Sequence, residues 1–445
     1  MKRRPKQIRT KLLDLVKEMS EHPDKYIRYP GKDFTRKRKL PFEKMIGTLL
    51  CLKGGSLTCE LMDAFGCSAN TATSSAFIQQ RDKIRHEALA DLFHSFVKAI
   101  PTDELYKGYR LLALDGSVIH IPTNAEDAES YIVKKDDSRP FNLMHLNTMY
   151  DLLSHIYTDA VVQKCHTKDE SRAFCDMVDR TDGRPAIFIA DRGYESFNNM
   201  AHVQEKGCFF LIRIKDNAGG IGCGLDLPDT DTFDKSFSLS LTRKQTNEMK
   251  ETVKNRDDYR FLRSCKTFDY LPVKNRKGIP VPPYVLSFRI VRFQISDNNY
   301  ETVITNLDTG SFPAAELKKL YHMRWGIETS FRELKYTLGL LHFHAKKTES
   351  VLQEIFASLI MYNFTELITS HMIFQKKNRK YVYKANFSVA VHVCRQFLLG
   401  NVSPSVLETL IAKNVSPVRP GCSPGRNFPR NLKPRSAVSF LYRIA

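Results

Sequence analysis

Tyr109-Arg110-Leu111-Leu112-Ala113-Leu114-Asp115 is an apolar run that ends in a carboxylate, with Gly116-Ser117 after it. Ala186-Ile187-Phe188-Ile189-Ala190-Asp191 repeats the arrangement, with Arg192-Gly193-Tyr194 after it. Short apolar runs bounded by turn residues read as buried strands. A carboxylate just past such a strand stands at the sheet edge, where open α/β sheets bind ligands. One such Asp alone is more often a turn former or helix cap. Two on strands of one sheet are a different matter: their mutual repulsion calls for a cation, and hard oxygen ligands suit Mg²⁺.

Between and after these runs the pattern continues. Residues 144–150 and 154–162 read as a strand pair with a turn at Asp151-Leu152-Leu153, and 169–179 as a helix broken by Gly183-Arg184-Pro185. A second helix runs to about residue 205, and 208–214 is a further strand. The order strand, strand, strand, helix, strand, helix, strand predicts an α/β fold, a mixed sheet flanked by helices.

A later helix, predicted over 314–340, carries the most informative spacing. Tyr321, Arg324, Glu328 and Lys335 fall within roughly 60° of one another at about 100° per residue. Leu320, Met323, Ile327, Phe331, Leu334 and Leu338 form the adjoining apolar stripe. One helix would thus pack on the sheet and present an aromatic, a base, an acid and a base along its border. The plain alternative is a surface helix in which Arg324 and Glu328 form an ordinary i,i+4 pair. Glu333 points away from the stripe by the same arithmetic.

Outward from this core, residues 1–40 read as a basic, mobile arm. Residues 41–105 read as short helices with a Gly54-Gly55 break and Ser68 as the cap of a polar, basic helix through Gln80, Arg81 and Lys83, a pattern like a helix-turn-helix. Residues 106–215 and 306–375 form the two parts of the catalytic core. Residues 216–305 are a β-rich insertion, its clearest strands at 284–295 and 300–304. Residues 376–445 are a basic C-terminal region, extended and rich in Pro and Arg from about 415.

Of 445 residues, 68 are Lys or Arg and 49 Asp or Glu, giving net +19. That charge, spread along the chain, argues for a nucleic-acid partner over a membrane surface. The ten cysteines are scattered with no C-x-x-C pair, so neither a zinc module nor a disulfide framework is written here. The apolar run 355–365 is too short to span a bilayer. The expected setting is the cytoplasm, at the nucleoid.

The spacing Y-(2)-R-(3)-E-(6)-K, present as Tyr321, Arg324, Glu328 and Lys335, resembles the signature of a large group of DDE transposases encoded by bacterial insertion sequences. Leu114-Asp115-Gly116-Ser117 and Ala190-Asp191-Arg192-Gly193-Tyr194 look like that group's first and second acidic motifs. The resemblance covers roughly residues 40–375. It implies a ribonuclease H-like core with a helical N-terminal domain, in which Asp115, Asp191 and Glu328 hold two Mg²⁺ ions, with Mn²⁺ as the substitute. It implies cut-and-paste transposition: binding of the element's terminal inverted repeats, cleavage, and joining to target DNA, by a homodimer. Tyr321, Arg324 and Lys335 would hold DNA phosphates, and Arg192 a further one. One class of members stacks a flipped base on a Trp of the insertion. Here the single Trp, Trp325, lies on the Glu328 helix, where packing is expected, which leaves Tyr259, Phe261, Tyr270 or Tyr284 for that role. A metal-dependent nuclease of the same fold and an inactive DNA-binding descendant are the alternatives. The His342-x-His344 pair reads as a structural or DNA-facing turn, and Cys165-His166 as residues that merely follow a strand.

Overall fold

The computed structural model describes residues 3–418 except 37, 101, 103, 134–138, 216–219, 245–250, 252, 256, 274–280, 371 and 373–381. The Pro- and Arg-rich tail from 419 onward lies outside the described residues.

Helix α1 (Arg3–Glu21) opens the chain, then α2 (Phe42–Cys51), α3 (Leu57–Ala64), α4 (Ser74–Arg81) and α5 (Glu87–Ala99). The expected mobile arm is instead largely helical. Ile8, Leu12, Val16 and Met19 recur on one face of α1 and are buried, a 3.6-residue period that the high basic content of the segment obscured. The cap of α4 is Thr73, whose side chain accepts from Ala76 N, and not Ser68.

The strands follow: β1 (Arg110–Ile121), β2 (Tyr131–Ile132), β3 (Phe141–Asp151) and β4 (Ile156–Lys164); then α6 (Glu170–Arg180), β5 (Ala186–Ala190), α7 (Phe197–Glu205) and β6 (Phe209–Arg213). In the sheet, β4 lies beside β3, β3 beside β1, β1 beside β5 and β5 beside β6. The first three pair antiparallel, and β1, β5 and β6 are mutually parallel. This is the ribonuclease H-like order, with β1 central.

The inserted segment does not form a separate layer. Its strands β7 (Phe233–Thr242), β8 (Tyr259–Phe261), β9 (Tyr284–Ser296) and β10 (Asn299–Thr305) extend the same sheet beyond β6 through β10. Next come α8 (Ala314–Met323), α9 (Trp325–Tyr336) and α10 (Thr348–Thr369). The chain continues with β11 (Val382–Ala385), α11 (Phe387–Leu399), α12 (Pro404–Lys413) and β12 (Val415–Val418), which pairs with β11. So the first part of the expected basic C-terminal region, from 382 to 414, carries two helices. Phe397, Leu398, Leu407 and Ile411 bury their apolar sides.

Because side chains alternate along a strand, the sheet has two apolar faces. Leu111, Ala113, Ile187, Ile189 and Leu211 face one core, with α1, α2, α5, α9 and α10. Leu112, Leu114, Phe188, Ala190, Phe210 and Ile212 face the other, with α6 and α7. Helix α10 is long and apolar enough to cross a membrane, but 83% of its apolar window is buried inside the protein. It is the central strut of the first core.

Candidate functional site

Strand β1 does not stop at Asp115, as its apolar run suggested, but continues to Ile121, paired with β3. Its pairing with β5, however, ends at Leu114 opposite Ala190. Asp115 and Asp191 are therefore the next residues on two neighbouring parallel strands, whose backbones run about 4.8 Å apart. Both are odd-numbered, like the residues that face the first core, so both side chains project to the face covered by α9. The sequence put them at one sheet edge; parity puts them on one side of it.

The expected long helix is interrupted at Arg324, which separates α8 from α9. Arg324 N donates to Tyr321 O and Ile327 N to Arg324 O, so the turn tightens to i→i+3 bonds there. The next residue but one, Gly326, packs close to the β3–β4 turn: a Cβ on it would lie 3.2 Å from Leu152 Cδ2. The tight turn drives Arg324 inward, to 3% exposed.

There the guanidinium meets two acids. Arg324 Nη2 donates to Glu328 Oε1 at 2.9 Å, and Nη1 lies 3.7 Å from Asp115 Oδ2. Tyr321, buried beneath it, donates its hydroxyl to Asp191 Oδ1 at 3.3 Å. Asp115 Oδ1 accepts Gly116 N, and Asp191 Oδ1 accepts Arg192 N, each at 2.8 Å. Among the described residues, Asp115 Oδ2, Asp191 Oδ2 and Glu328 Oε2 accept no hydrogen bond. Each acid thus keeps one oxygen without a hydrogen bond, that of Asp115 facing the Arg324 guanidinium. Burial, and then the charges of Glu328 and Asp191, push the Asp115 carboxyl up to about 6, against the pull of the Gly116 amide and Arg324.

The other expected residues are placed unevenly. Arg192 is exposed and forms no ion pair with Asp191 among the described residues. Lys335 is half-buried on α9, and burial lowers its pKa; it contacts none of the three acids. Trp325 is not packed: it is 49% exposed, with the Arg324 guanidinium 5.4 Å from its ring. Tyr270 and Tyr284 stack on each other at 5.5 Å, and Tyr270 packs against His202 of α7. Phe261 lines a cleft of about 370 Å³ with Lys215, Arg260, Arg263 and Lys266. His344 is buried between Glu60 and Glu354, a structural position, and Cys165-His166 form a turn after β4. Arg81, on the polar, basic helix of the helix-turn-helix-like region, is 3% exposed and bonds to Glu354.

Two residues near the acids carried no recognisable motif. Glu301 of β10 pairs with Arg213 of β6 at 3.3 Å, and its carboxyl is raised by burial and influenced by Arg324 and Asp191. Thr148 lies opposite Asp115 in the β1–β3 register, buried, with an unpartnered hydroxyl. Strand parity alone, read once the register is known, marks both.

The model of the transposase DDE domain matches residues 106–364, more than half of the chain. The chain belongs to the DDE transposases. The transposase InsG of insertion sequence element IS4 from Escherichia coli (strain K12) is 24% identical over 352 residues, which span 74% of this transposase and 70% of that protein. A solved piggyBac transposase synaptic complex with hairpin DNA has a TM-score of 0.42 and 9% identity, over 91% of this chain and 79% of that one.

Three carboxylates with open oxygens are a donor set whose chemistry suits hard divalent cations. As they stand, no three His, Cys, Asp or Glu side chains among the described residues are gathered closely enough to hold a metal ion. The cation present between Asp115 and Glu328 is Arg324 itself.

Proposed function

We propose that this transposase binds the ends of its mobile element, cleaves them and joins them to target DNA, with Asp115, Asp191 and Glu328 as the catalytic acids. The observation that carries this is the meeting of the three around Arg324 and Tyr321, on one sheet face, each with an oxygen left open. Arg324 there stands in for the divalent cations that the carboxylate set would hold. When bound, a pair of Mg²⁺ ions supplies activation of the attacking hydroxyl and stabilisation of the leaving oxygen.

The chain's own groups do the rest. Asp115 and Asp191, fixed just past the end of the β1–β5 ladder, would give two ligand directions that the sheet holds rigid. Glu328 approaches from α9, the element that a shift of the Arg324 turn would move. Arg324, whose planar fork suits a phosphate as well as a carboxylate, would grip a DNA phosphate beside the acids. Tyr321 holds Asp191 in place, and Trp325 and Arg192 offer an exposed ring and charge to the DNA beside the cut. Lys335 takes part only through a phosphate, since it reaches none of the acids. Two copies, one for each element end, complete the reaction.

The test is cleavage and strand transfer with the element's own ends and Mg²⁺, run beside Asp115→Ala. The wild type is expected to cut and join, and the variant to bind DNA without cutting. A variant that cuts as fast as the wild type removes Asp115 from the mechanism.

A further inference from the structure

Behind the acids, on the opposite face of the sheet, lies a second polar group that no role above uses. By the period of two, Gly116 faces away from the Asp115 side chain, and so do Asn147 and His145, its neighbours across the β1–β3 register. A Cβ at position 116 would stand 2.3 Å from His145 Nε2 and 3.1 Å from Asn147 Oδ1. The imidazole therefore rests directly on the backbone that follows Asp115. Glu170, in the first turn of α6, brings Oε1 to 3.1 Å from the same Nε2. Its Oε2 lies 3.9 Å from where a Cβ on Gly193 would be, two residues past Asp191. Lys168 Nζ, 3.2 Å from Glu170 Oε1, partly balances the charge. One imidazole–carboxylate pair thus packs against the chain just after Asp115 and lies near it just after Asp191.

A second observation marks the same spot. His145, Asn147 and Tyr194 are buried there: His145 meets Asn147 and Glu170, and Tyr194 Oη has no hydrogen-bond partner among the described residues. Tyr194 directly follows Gly193. Buried polar atoms are satisfied in the large majority of cases. A buried imidazole that meets Asn147 and Glu170, beside a buried tyrosine hydroxyl, set against the backs of Asp115 and Asp191, is a costlier choice than apolar packing.

We propose that His145 and Glu170 form a positioning pair that fixes the backbone at Gly116 and Gly193, and so aims Asp115 and Asp191 at a common point. This rests on the catalytic role proposed for those two acids. The pair acts through the acids, as partners behind metal ligands do elsewhere, where their loss costs about 10–100-fold in metal affinity or activity.

The test uses the full chain and the variants His145→Ala, His145→Gln, Glu170→Ala and Asp115→Ala. Four quantities are measured: affinity for the element end, cleavage rate at saturating DNA, Mn²⁺ binding followed by the electron paramagnetic resonance of the free ion, and thermal melting. His145→Ala and Glu170→Ala are expected to cut roughly 10–100-fold more slowly and to bind Mn²⁺ about tenfold more weakly, with DNA affinity and melting unchanged. His145→Gln, whose amide can place a donor near the Nε2 position, recovers most of the rate. Alanine variants that cut and bind Mn²⁺ like the wild type, while Asp115→Ala is inactive, overturn the pair's role alone. So does a loss that merely follows a fall in melting temperature with Mn²⁺ affinity intact, because that is packing. A wild type that neither cuts nor binds Mn²⁺ overturns the proposed function, and the pair's role with it.

Discussion

Around Glu354 every carboxylate oxygen is occupied, whereas around Asp115 each acid keeps one open. Glu354 Oε1 accepts from Arg81 Nη1 at 2.8 Å and Ala345 N at 3.0 Å, and its Oε2 from His344 N at 3.1 Å. Glu60, beside it, accepts from Gly55 N at 2.6 Å and Lys53 N at 2.7 Å, with His344 Nε2 at 3.3 Å. Arg81 also bonds Gln353 and the Ser350 carbonyl. These groups tie α3, α4 and the loop after α9 to α10. Acids and bases are present in both clusters, but the Glu354 and Glu60 side chains are 8% and 5% exposed, those of Asp115 and Glu328 23% and 34%. What separates the staple from the proposed reaction centre is exposure and satisfaction: the first spends its charges on one another, and the second keeps an oxygen of each acid without a hydrogen bond.

The sharpest way to break this contrast is Asp115→Asn. It removes a ligand and, at the same time, a like charge. Cleavage is expected to fall on the order of 10³-fold or more, while melting stays level or rises, since the group is a strained one. A fall in melting with retained cleavage would make Asp115 structural. The mirror experiment is Glu354→Ala. It strands the buried Arg81 charge and should cost about 3–5 kcal/mol of stability in denaturant unfolding, with the cleavage rate per folded molecule unchanged.

The two regions also differ in how they respond to pH. Burial alone would raise Glu354, but Arg81 and His344 outweigh it and hold the carboxyl at about 2; Glu60 is likewise lowered, through His344 and two backbone amides. Carboxyls depressed on folding contribute stability that is present above 4.5, their ordinary value, and is lost as pH falls below it. His344 is raised by Glu354 and Glu60 against burial, so its contribution is whole below its ordinary 6.5 and is lost as pH rises through its folded value. The clamp is therefore strongest between about pH 4.5 and 6.5. Asp115, raised to about 6, has the opposite sign to Glu354: its contribution is present below 3.8 and lost as pH rises through 6. Melting curves across this range should show His344→Asn flattening the clamp's alkaline decline and Asp115→Asn removing the site's, each by about 1–2 °C. Identical pH profiles for both variants and the wild type would contradict the assignment.

The smallest expected effect belongs to Arg192. Exposed and without an acidic partner among the described residues, it is suited to a phosphate. Arg192→Ala should weaken binding to any DNA alike and lower the slope of log affinity against log salt by about one. An unchanged slope would leave Arg192 out of the DNA contact.

Much of this was readable in the chain. The apolar runs ending at Asp115 and Asp191 marked two core strands because burial on both faces demands unbroken apolar sequence. The spacing of Tyr321, Arg324 and Glu328 survived the break at Arg324 because that residue keeps helical dihedrals, φ −50° and ψ −32°. Other features were hidden for physical reasons. Helix α1 was masked by its own charge, since long basic side chains leave a surface face polar while Ile8 and Leu12 pack beneath. Arg81 read as part of a polar, basic helix because sequence records a charge and not its partner, and Glu354 lies far along the chain. Trp325 read as packed because large aromatics usually are.

What the sequence determined alone was local and periodic: which runs are strands, which helix bears an acid and a base on one side, and that so basic a chain suits a polyanionic partner. Those follow from short-range sterics and from hydrophobic period, which every stretch carries within itself. Tertiary structure decided everything that depends on pairing across distance. The end of the β1–β5 ladder put Asp115 and Asp191 side by side, the insertion's strands joined the core sheet, and Arg81 went to Glu354 and not to solvent. Register and the satisfaction of buried charge are properties of two segments at once, and neither segment encodes them by itself.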